Sequence, residues 1–254
     1  MTSFIDIRDG RLEAQLIEGQ APALVLLHEG LGSVGLWRGL PQKLHELTGL
    51  RTLAFSRFGH GQSDPPPRPR TPSFMHEEAR EVLPQVLAAA GIEQPILVGH
   101  SDGASIALIH AADHPVTGLA LMAPHVFVEQ VCVDAIAETS RVFREDNLRE
   151  RMARHHRDPD AAFHGWCDVW LDPEFLGWNL VPLLPRIKTP TLLIQGRDDE
   201  YGTLAQVHAI QGAAGGPVEL SVVSGGHSPH LEHPDEVPAQ VARFIASLAR
   251  AGAA

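Results

Sequence analysis

Ile96-Leu97-Val98-Gly99-His100-Ser101-Asp102-Gly103-Ala104-Ser105-Ile106-Ala107-Leu108 is the stretch that decides the fold. Its first three residues predict a buried strand and its last five a helix, with a Gly-x-Ser-x-Gly junction between them. A junction this tight forces the serine into a strained backbone conformation and lifts its hydroxyl above the strand end. Strand and helix can approach there only if Gly99 and Gly103 carry no side chains. Because the helix begins just after Ser101, its free N–H groups and dipole face the point where an oxyanion would form. The Asp102 N–H is one candidate donor to it.

Outward from this turn, short apolar runs recur at Ala23-Leu27, Thr52-Phe55, Pro95-Val98, Gly118-Met122, Thr191-Ile194 and Glu219-Val223. Each is long enough for a strand buried on both faces. Helical patterns at Leu36-Leu47, Met75-Ala90, Ala104-Ala112 and Val237-Ala249 lie between or after them, which predicts a parallel sheet with right-handed crossovers. The last helix is expected to begin after Pro234, with Asp235 and Glu236 suiting its positive end. Residues 3 to 18 alternate around Asp9-Gly10 and predict an antiparallel hairpin ahead of the parallel strands. The expected class is thus α/β, a mostly parallel eight-stranded sheet flanked by helices.

One interval breaks the rhythm. Residues 125 to 188 separate two sheet strands, far more than a crossover helix needs. They contain Trp166, Trp170 and Trp178, with prolines at 159, 173, 182 and 185. This predicts a helical lid inserted after strand 6, dividing the chain into core residues 1–124, lid residues 125–188 and core residues 189–254. His155-His156 within it reads as a solvated pair, and Pro65 to Arg70 as a stiff spacer loop.

The chain has 254 residues, with 20 Lys and Arg against 31 Asp and Glu, for a net charge of -11. That balance argues against a nucleic-acid or anionic-membrane partner. Cys132 and Cys167 fit reduced packing residues better than a disulfide framework. The start, MTSFIDIRDGRLEAQ, lacks a basic segment followed by an apolar one, so a cytoplasmic location is expected. A homodimer is left open.

Two further loops carry chemistry. Thr191-Leu192-Leu193-Ile194-Gln195 runs into Gly196-Arg197-Asp198-Asp199-Glu200, which places carboxylates at the sheet edge that bears Ser101. Leu220 to Val223 then leads into Ser224-Gly225-Gly226-His227-Ser228. A serine hydroxyl attacks at neutral pH only if an imidazole takes its proton and a carboxylate holds that imidazole's tautomer. His227 is the candidate base, and either Asp198 or Asp199 the acid. His28-Glu29-Gly30-Leu31-Gly32-Ser33 follows an apolar strand and offers the Gly30 N–H as second oxyanion donor. His227, His230 and His233 recur every third residue, but Pro229 and Pro234 break the helix and no thiolate completes a site, so neither a metal nor any other cofactor is expected.

Taken together, HEGLGS, Ser56-Arg57-Phe58-Gly59-His60-Gly61-Gln62-Ser63-Asp64, GHSDG, GRDDEYG and GGHSPH resemble the α/β-hydrolase superfamily over nearly the whole chain. The resemblance implies that the acid stands three residues after the strand-ending glycine, which selects Asp199. Two positions depart from the usual pattern: Glu29 stands where a glycine commonly follows the histidine, and Ser56 where many members carry aspartate. The serine argues against the aspartate-nucleophile relatives, the haloalkane dehalogenases and soluble epoxide hydrolases.

The resulting expectation is a serine hydrolase of a small to medium carboxylic ester or lactone. A carbon-carbon bond hydrolase of ring-cleavage products and a non-catalytic ligand receptor are the alternatives. Candidate substrate-binding residues are Glu29, His100, Phe127, Trp166 and Trp170, with Phe143, Phe163 and Trp178 as further apolar groups of the lid.

Overall fold

In the computed structural model, which describes residues 3–251, eight strands form one sheet. They are β1 (Ser3–Ile7), β2 (Gly10–Ile17), β3 (Gln20–Leu27), β4 (Leu50–Phe55), β5 (Ile96–His100), β6 (Gly118–Met122), β7 (Thr191–Gly196) and β8 (Val218–Val223). Their spatial order is β1-β2-β4-β3-β5-β6-β7-β8. β1 and β2 form the antiparallel hairpin, β2 pairs antiparallel with β4, and every other pairing is parallel.

The order reverses at β3, which lies between β4 and β5. Loops that leave the carboxyl ends of strands flanking such a reversal diverge and open a crevice. Leu27 pairs with Gly99 in register, so the loops after β3 and β5 leave the sheet side by side. This places the glycine loop beside the Ser101 turn.

Strand alternation sends Leu24, Leu26, Ile96, Val98, Ala120, Met122, Leu192 and Ile194 to one face of the sheet. There α1 (Leu40–Thr48) and α10 (Glu236–Ala251) cover them with Leu40, Leu44, Val237, Val241, Phe244 and Ile245. The opposite face presents Val25, Leu27, Leu53, Leu97, Leu119, Leu121 and Leu193 to the other helices. These include α2 (Phe74–Glu77), α3 (Leu83–Ala89) and α4 (Asp102–Asp113). α4 is buried at every position from Asp102 to Ala111. A helix apolar all round belongs in a protein's centre.

Between β6 and β7 lie α5 (Gln130–Glu145), α6 (Leu148–Met152), α7 (Pro159–Trp170) and two 3-10 turns, Pro173–Gly177 and Val181–Arg186. Asp158 caps α7 by accepting from the Ala161 N–H at 2.9 Å. Phe143 and Phe163 stack at 3.8 Å, and Phe175 packs between Trp170 and Trp178 at 4.8 and 5.3 Å, so the insert has an aromatic core of its own. Among the described residues no helix is long and apolar enough to cross a membrane.

Several local expectations change. The helix expected over Leu36-Leu47 is a 3-10 turn, Val34–Trp37, then a break at Arg38 (φ 58°) and Gly39, then α1. Pro41 explains the break, because its ring would clash with the Trp37 carbonyl in a continuous helix. Met75-Ala90 is interrupted by a π-helical turn, Glu78–Val82, ahead of Pro84, where the missing N–H is accommodated by a wider turn.

α8 (Leu204–Ala213), capped by Thr203, was not anticipated between β7 and β8. α9 (Pro229–Glu232) is a single turn, and α10 opens at Glu236, after Pro234 as expected. β8 is the sheet's edge among the described residues, with β7 as its one neighbour there, so of its six residues just Val223 is buried.

His156 is not solvated. It is buried, its Nδ1 accepts from the Gly61 N–H at 3.0 Å, and its Nε2 lies 3.0 Å from the Leu31 carbonyl. It therefore pins the insert to two loops of the core.

Candidate active site

Ser101 has φ 52° and ψ -119°, a conformation that costs a non-glycine residue about 1–3 kcal/mol. The surroundings hold it there: its N–H donates to the Met122 carbonyl at 2.9 Å, and its carbonyl accepts from Ala104 and Ser105 in the first turn of α4. A Cβ on Gly99 would stand 2.5 Å from the Ala104 Cα, and one on Gly103 would stand 1.9 Å from the Leu27 oxygen. Only glycine lets β3, β5 and α4 meet this closely.

The loop after β7 turns Asp199 back toward the strand end. Its Oδ1 accepts from the N–H groups of Tyr201 (2.8 Å) and Gly202 (3.2 Å), and its Oδ2 from Gln195 Nε2 (2.7 Å). His227 Nδ1 lies 2.9 Å from both carboxylate oxygens. A carboxylate can only accept here, so Nδ1 carries the hydrogen and Nε2 presents its lone pair. Burial pushes the Asp199 carboxyl upward, but the hydrogen bond and charge of His227 outweigh it and hold it below the usual carboxylate range. Asp198 is exposed at the surface of the same loop.

Ser101 and His227 line one cavity of about 110 Å³, together with Glu29, Leu31, Asp102, His125, Cys132, Ile136, Trp166, Trp170 and Tyr201. Their side chains make no direct hydrogen bond, a gap common before substrate binds and tightens the geometry. His125 lies 5.6 Å from the His227 ring, and burial drives its pKa down to about 3, so it is neutral at working pH. Burial likewise pushes the Cys132 thiol well up, leaving it protonated. The Tyr201 ring packs 4.8 Å from His227, and its hydroxyl meets Thr139 Oγ1 at 2.9 Å, linking the acid loop to α5.

Asp102 is 1% exposed. Trp170 Nε1 donates to its Oδ1 at 3.2 Å, while its Oδ2 has no hydrogen-bond partner among the described residues. Burial raises its carboxyl above the usual range, against the opposing charges of Arg57 and Arg70.

The loop after β3 is fixed through its carbonyls. Arg57, fully buried, donates through Nη1 to the His28 oxygen and through Nη2 to the Glu29 oxygen at 2.9 Å. His60 Nε2 holds the Gly30 oxygen at 2.9 Å. In a trans peptide the N–H points opposite to the C=O. Binding of the Glu29 carbonyl by Arg57 therefore turns the Gly30 N–H away from the guanidinium. Gly30 also receives the edge of Trp166: a Cβ there would stand 2.2 Å from its Nε1.

Among the predicted binding residues, Glu29, Trp166 and Trp170 line the cavity with Ser101. His100 lies beside it, against Glu29 and the His227 carbonyl. Phe127 does not line it; its backbone bridges to Asn179 at the base of the insert.

The unusual Ser56 has a partner in Glu13 of β2, whose Oε2 accepts from it at 2.7 Å; the loop thus obtains a buried carboxylate from another strand. Sequence reasoning passed over Arg57, His125 and Tyr201. Arg57 and Tyr201 stand inside motifs that the sequence shows, and His125 lies three residues past the predicted strand end at Met122, in the loop from which a side chain enters such a crevice.

A family profile described as the alpha/beta hydrolase fold matches residues 22–179. The chain is 27% identical over 248 residues to serine hydrolase BPHL of Mus musculus, covering 89% of this chain and 80% of that protein. It is 26% identical over 269 residues to pimeloyl-[acyl-carrier protein] methyl ester esterase of Stenotrophomonas maltophilia, covering 92% and 97%. Among solved structures, an esterase of Exiguobacterium antarcticum superposes with TM-score 0.77 at 21% identity, over 96% of this chain and 99% of that one. The enol-lactonase of Burkholderia xenovorans superposes with TM-score 0.76 at 21% identity, over 96% and 100%. At these identities the superpositions establish the fold.

Proposed function

This chain belongs to the alpha/beta hydrolase fold family and is a hydrolase; from that premise we propose that it cleaves a small to medium carboxylic ester or lactone through an acyl-enzyme on Ser101. The observation that carries the reading is the shared cavity, in which a strained serine and an imidazole backed by a buried carboxylate face the same space.

In this mechanism His227 Nε2 takes the Ser101 proton as Oγ adds to the substrate carbonyl. The Asp102 N–H, at the start of α4, and the Gly30 N–H hold the oxyanion, each donor contributing about 10²–10³ in kcat by mutational precedent. Collapse of the tetrahedral intermediate sends the proton from His227 to the leaving alkoxide. Water then gives its proton to the same nitrogen as it attacks the acyl carbonyl; collapse of this second tetrahedral intermediate breaks the acyl–Oγ bond, returns the proton from His227 to Ser101 and releases the acid.

Trp166 and Trp170 of the insert form the apolar wall, and we assign residues 125–188 the role of a lid between the two core segments, 1–124 and 189–254. A cavity of about 110 Å³ falls below the ~300–1,000 Å³ of pockets that enclose a drug-sized ligand. It suits a short acyl group; larger substrates require the lid to move. Glu29 and Asp102 put two acidic side chains on its wall and no Arg or Lys among the described residues lines it, so nothing there pairs with the carboxylate of an anionic dienoate, which disfavours a carbon-carbon bond hydrolase. The buried free cysteines suit a reducing cytoplasm, and the partner is a small molecule.

A panel of nitrophenyl esters and lactones set against ring-cleavage dienoates tests the proposal. Ester or lactone turnover is expected, and Ser101→Ala reduces it on the order of 10⁶-fold. Turnover of dienoates alone, or undiminished activity of Ser101→Ala, would refute it.

A further inference from the structure

Glu29 occupies a position where glycine is usual, and the mechanism above leaves its carboxylate without a task. Its neighbour His100 is 1% exposed and is equally unused. His100 Nε2 lies 2.7 Å from the main-chain carbonyl of His227. That oxygen can only accept, so Nε2 carries a hydrogen. The other ring nitrogen, Nδ1, has no hydrogen-bond partner among the described residues and faces Glu29 Oε2 at 3.5 Å. Two bare lone pairs would repel at this approach. One proton held between them makes the contact attractive.

The ring is confined on its remaining sides by His230, edge-on at 4.8 Å, and by Trp37 at 6.4 Å. The Glu29 carboxylate is confined as well: a Cβ on Gly32 would stand 2.4 Å from its Oε2, so Gly32 leaves the space it occupies.

We propose that Glu29 and His100 are positioning residues, a second carboxylate–imidazole pair that clamps the His227 loop to the nucleophile turn and to the oxyanion loop. The inference rests on the triad assigned above. Glu29 comes from the loop that supplies the Gly30 N–H, and His100 directly precedes Ser101. The bond from His100 ends on the backbone of the base, so one continuous chain of contacts joins all three reacting groups.

The clamp is also electrically suited to its place. A carboxylate and an imidazole sharing one proton carry no net charge, whether the proton sits on nitrogen or oxygen. When His227 becomes imidazolium during catalysis, its ring lies 5.2 Å from the His100 ring but faces no second uncompensated cation. In agreement, burial alone would push the Glu29 carboxyl up, yet the His100 contact and charge hold it down at about 2.

Because the clamp acts by setting the distances between the reacting groups, its loss falls on kcat. Misplacement of a reacting group by about 1 Å costs up to ~10²-fold. The test uses His100→Phe, which keeps an aromatic ring and deletes the donor, with Glu29→Ala and Glu29→Gln. The glutamine amide can still donate to Nδ1 of the Nε2–H tautomer.

His100→Phe and Glu29→Ala are each expected to lower kcat about 10- to 100-fold with KM changed less than about threefold. Glu29→Gln should recover most of the loss, and the His100→Phe, Glu29→Ala double variant should be no worse than His100→Phe alone, as expected for two residues acting as a unit. Wild-type kcat in His100→Phe, additive losses in the double variant, or a Glu29→Gln as impaired as Glu29→Ala would each overturn the clamp. Should His100→Phe fail to fold, the comparison of the two Glu29 variants decides alone. Ser101→Ala run in parallel separates the two claims: if it stays active the triad reading fails, and if it is dead while the clamp variants behave as wild type, only the clamp fails.

Discussion

Replacing Gly103 with alanine drives a methyl group into the end of β3. The new Cβ would stand 1.9 Å from the Leu27 oxygen, 2.4 Å from the Leu27 carbonyl carbon and 2.7 Å from the His28 oxygen. All three are backbone atoms, so no side chain can swing aside. Ordinary contact begins at 3.4 Å, and α4 must therefore withdraw from β3 by about 1.5 Å. The Asp102 N–H rides on α4 and the Gly30 N–H on the loop after β3, so this withdrawal separates the two proposed donors. Such donors act over about 2.7–3.1 Å, and loss of one costs about 10²–10³ in kcat, or ~2.7–4 kcal/mol. Overpacking adds a stability cost of about 1–3 kcal/mol, each kcal/mol lowering Tm by roughly 2–4 °C in a chain of this size. Initial rates on the best ester of the panel and a thermal melt by circular dichroism measure both effects. A Gly103→Ala protein with wild-type kcat and Tm would refute the close approach and the oxyanion geometry that depends on it.

Asp199→Asn should lower kcat about 10⁴-fold, because His227 loses the acceptor that fixes its Nδ1–H, whereas Asp198→Asn should leave kcat nearly unchanged; the reverse ranking would move the acid to Asp198. Asp102→Asn should raise Tm at neutral pH. The folded-state carboxyl is raised by burial above its ordinary value of 3.8, so ionisation costs stability as pH rises through that window. The gain should vanish below about pH 3.8, and a Tm difference independent of pH would contradict it.

How much was readable from the chain depends on whether a signal was local. The strands and the serine turn were legible because strand burial and glycine requirements are written in adjacent residues: Ile96 to Leu108 contains the entire strand, junction and helix start. The hairpin at Asp9-Gly10 was legible for the same reason. The broken helices over 34–48 and 74–89 were foreshadowed by Pro41 and Pro84, but a proline does not say whether a helix kinks, widens or stops.

Groups that act across the fold were less visible. Arg57 reads as a surface cation until its burial against the His28 and Glu29 carbonyls is seen. His156 lies in a charged stretch of the insert, and only the packing of that insert onto Gly61 and Leu31 makes it internal. The pairing of Ser56 with Glu13 joins residues 43 positions apart, a distance no periodicity conveys. Phe127 was a reasonable pocket residue by composition, yet chain direction after β6 turns it to the base of the insert.

The central claim is that Ser101 is a nucleophile activated by His227. Fluorophosphonate labelling followed by peptide mass spectrometry tests it most directly, since the reagent bonds only to an activated serine. One adduct on Ser101 is predicted, formed rapidly by the wild type and abolished or severely slowed by His227→Ala. No adduct at Ser101, or equally fast labelling without the imidazole, would contradict the account.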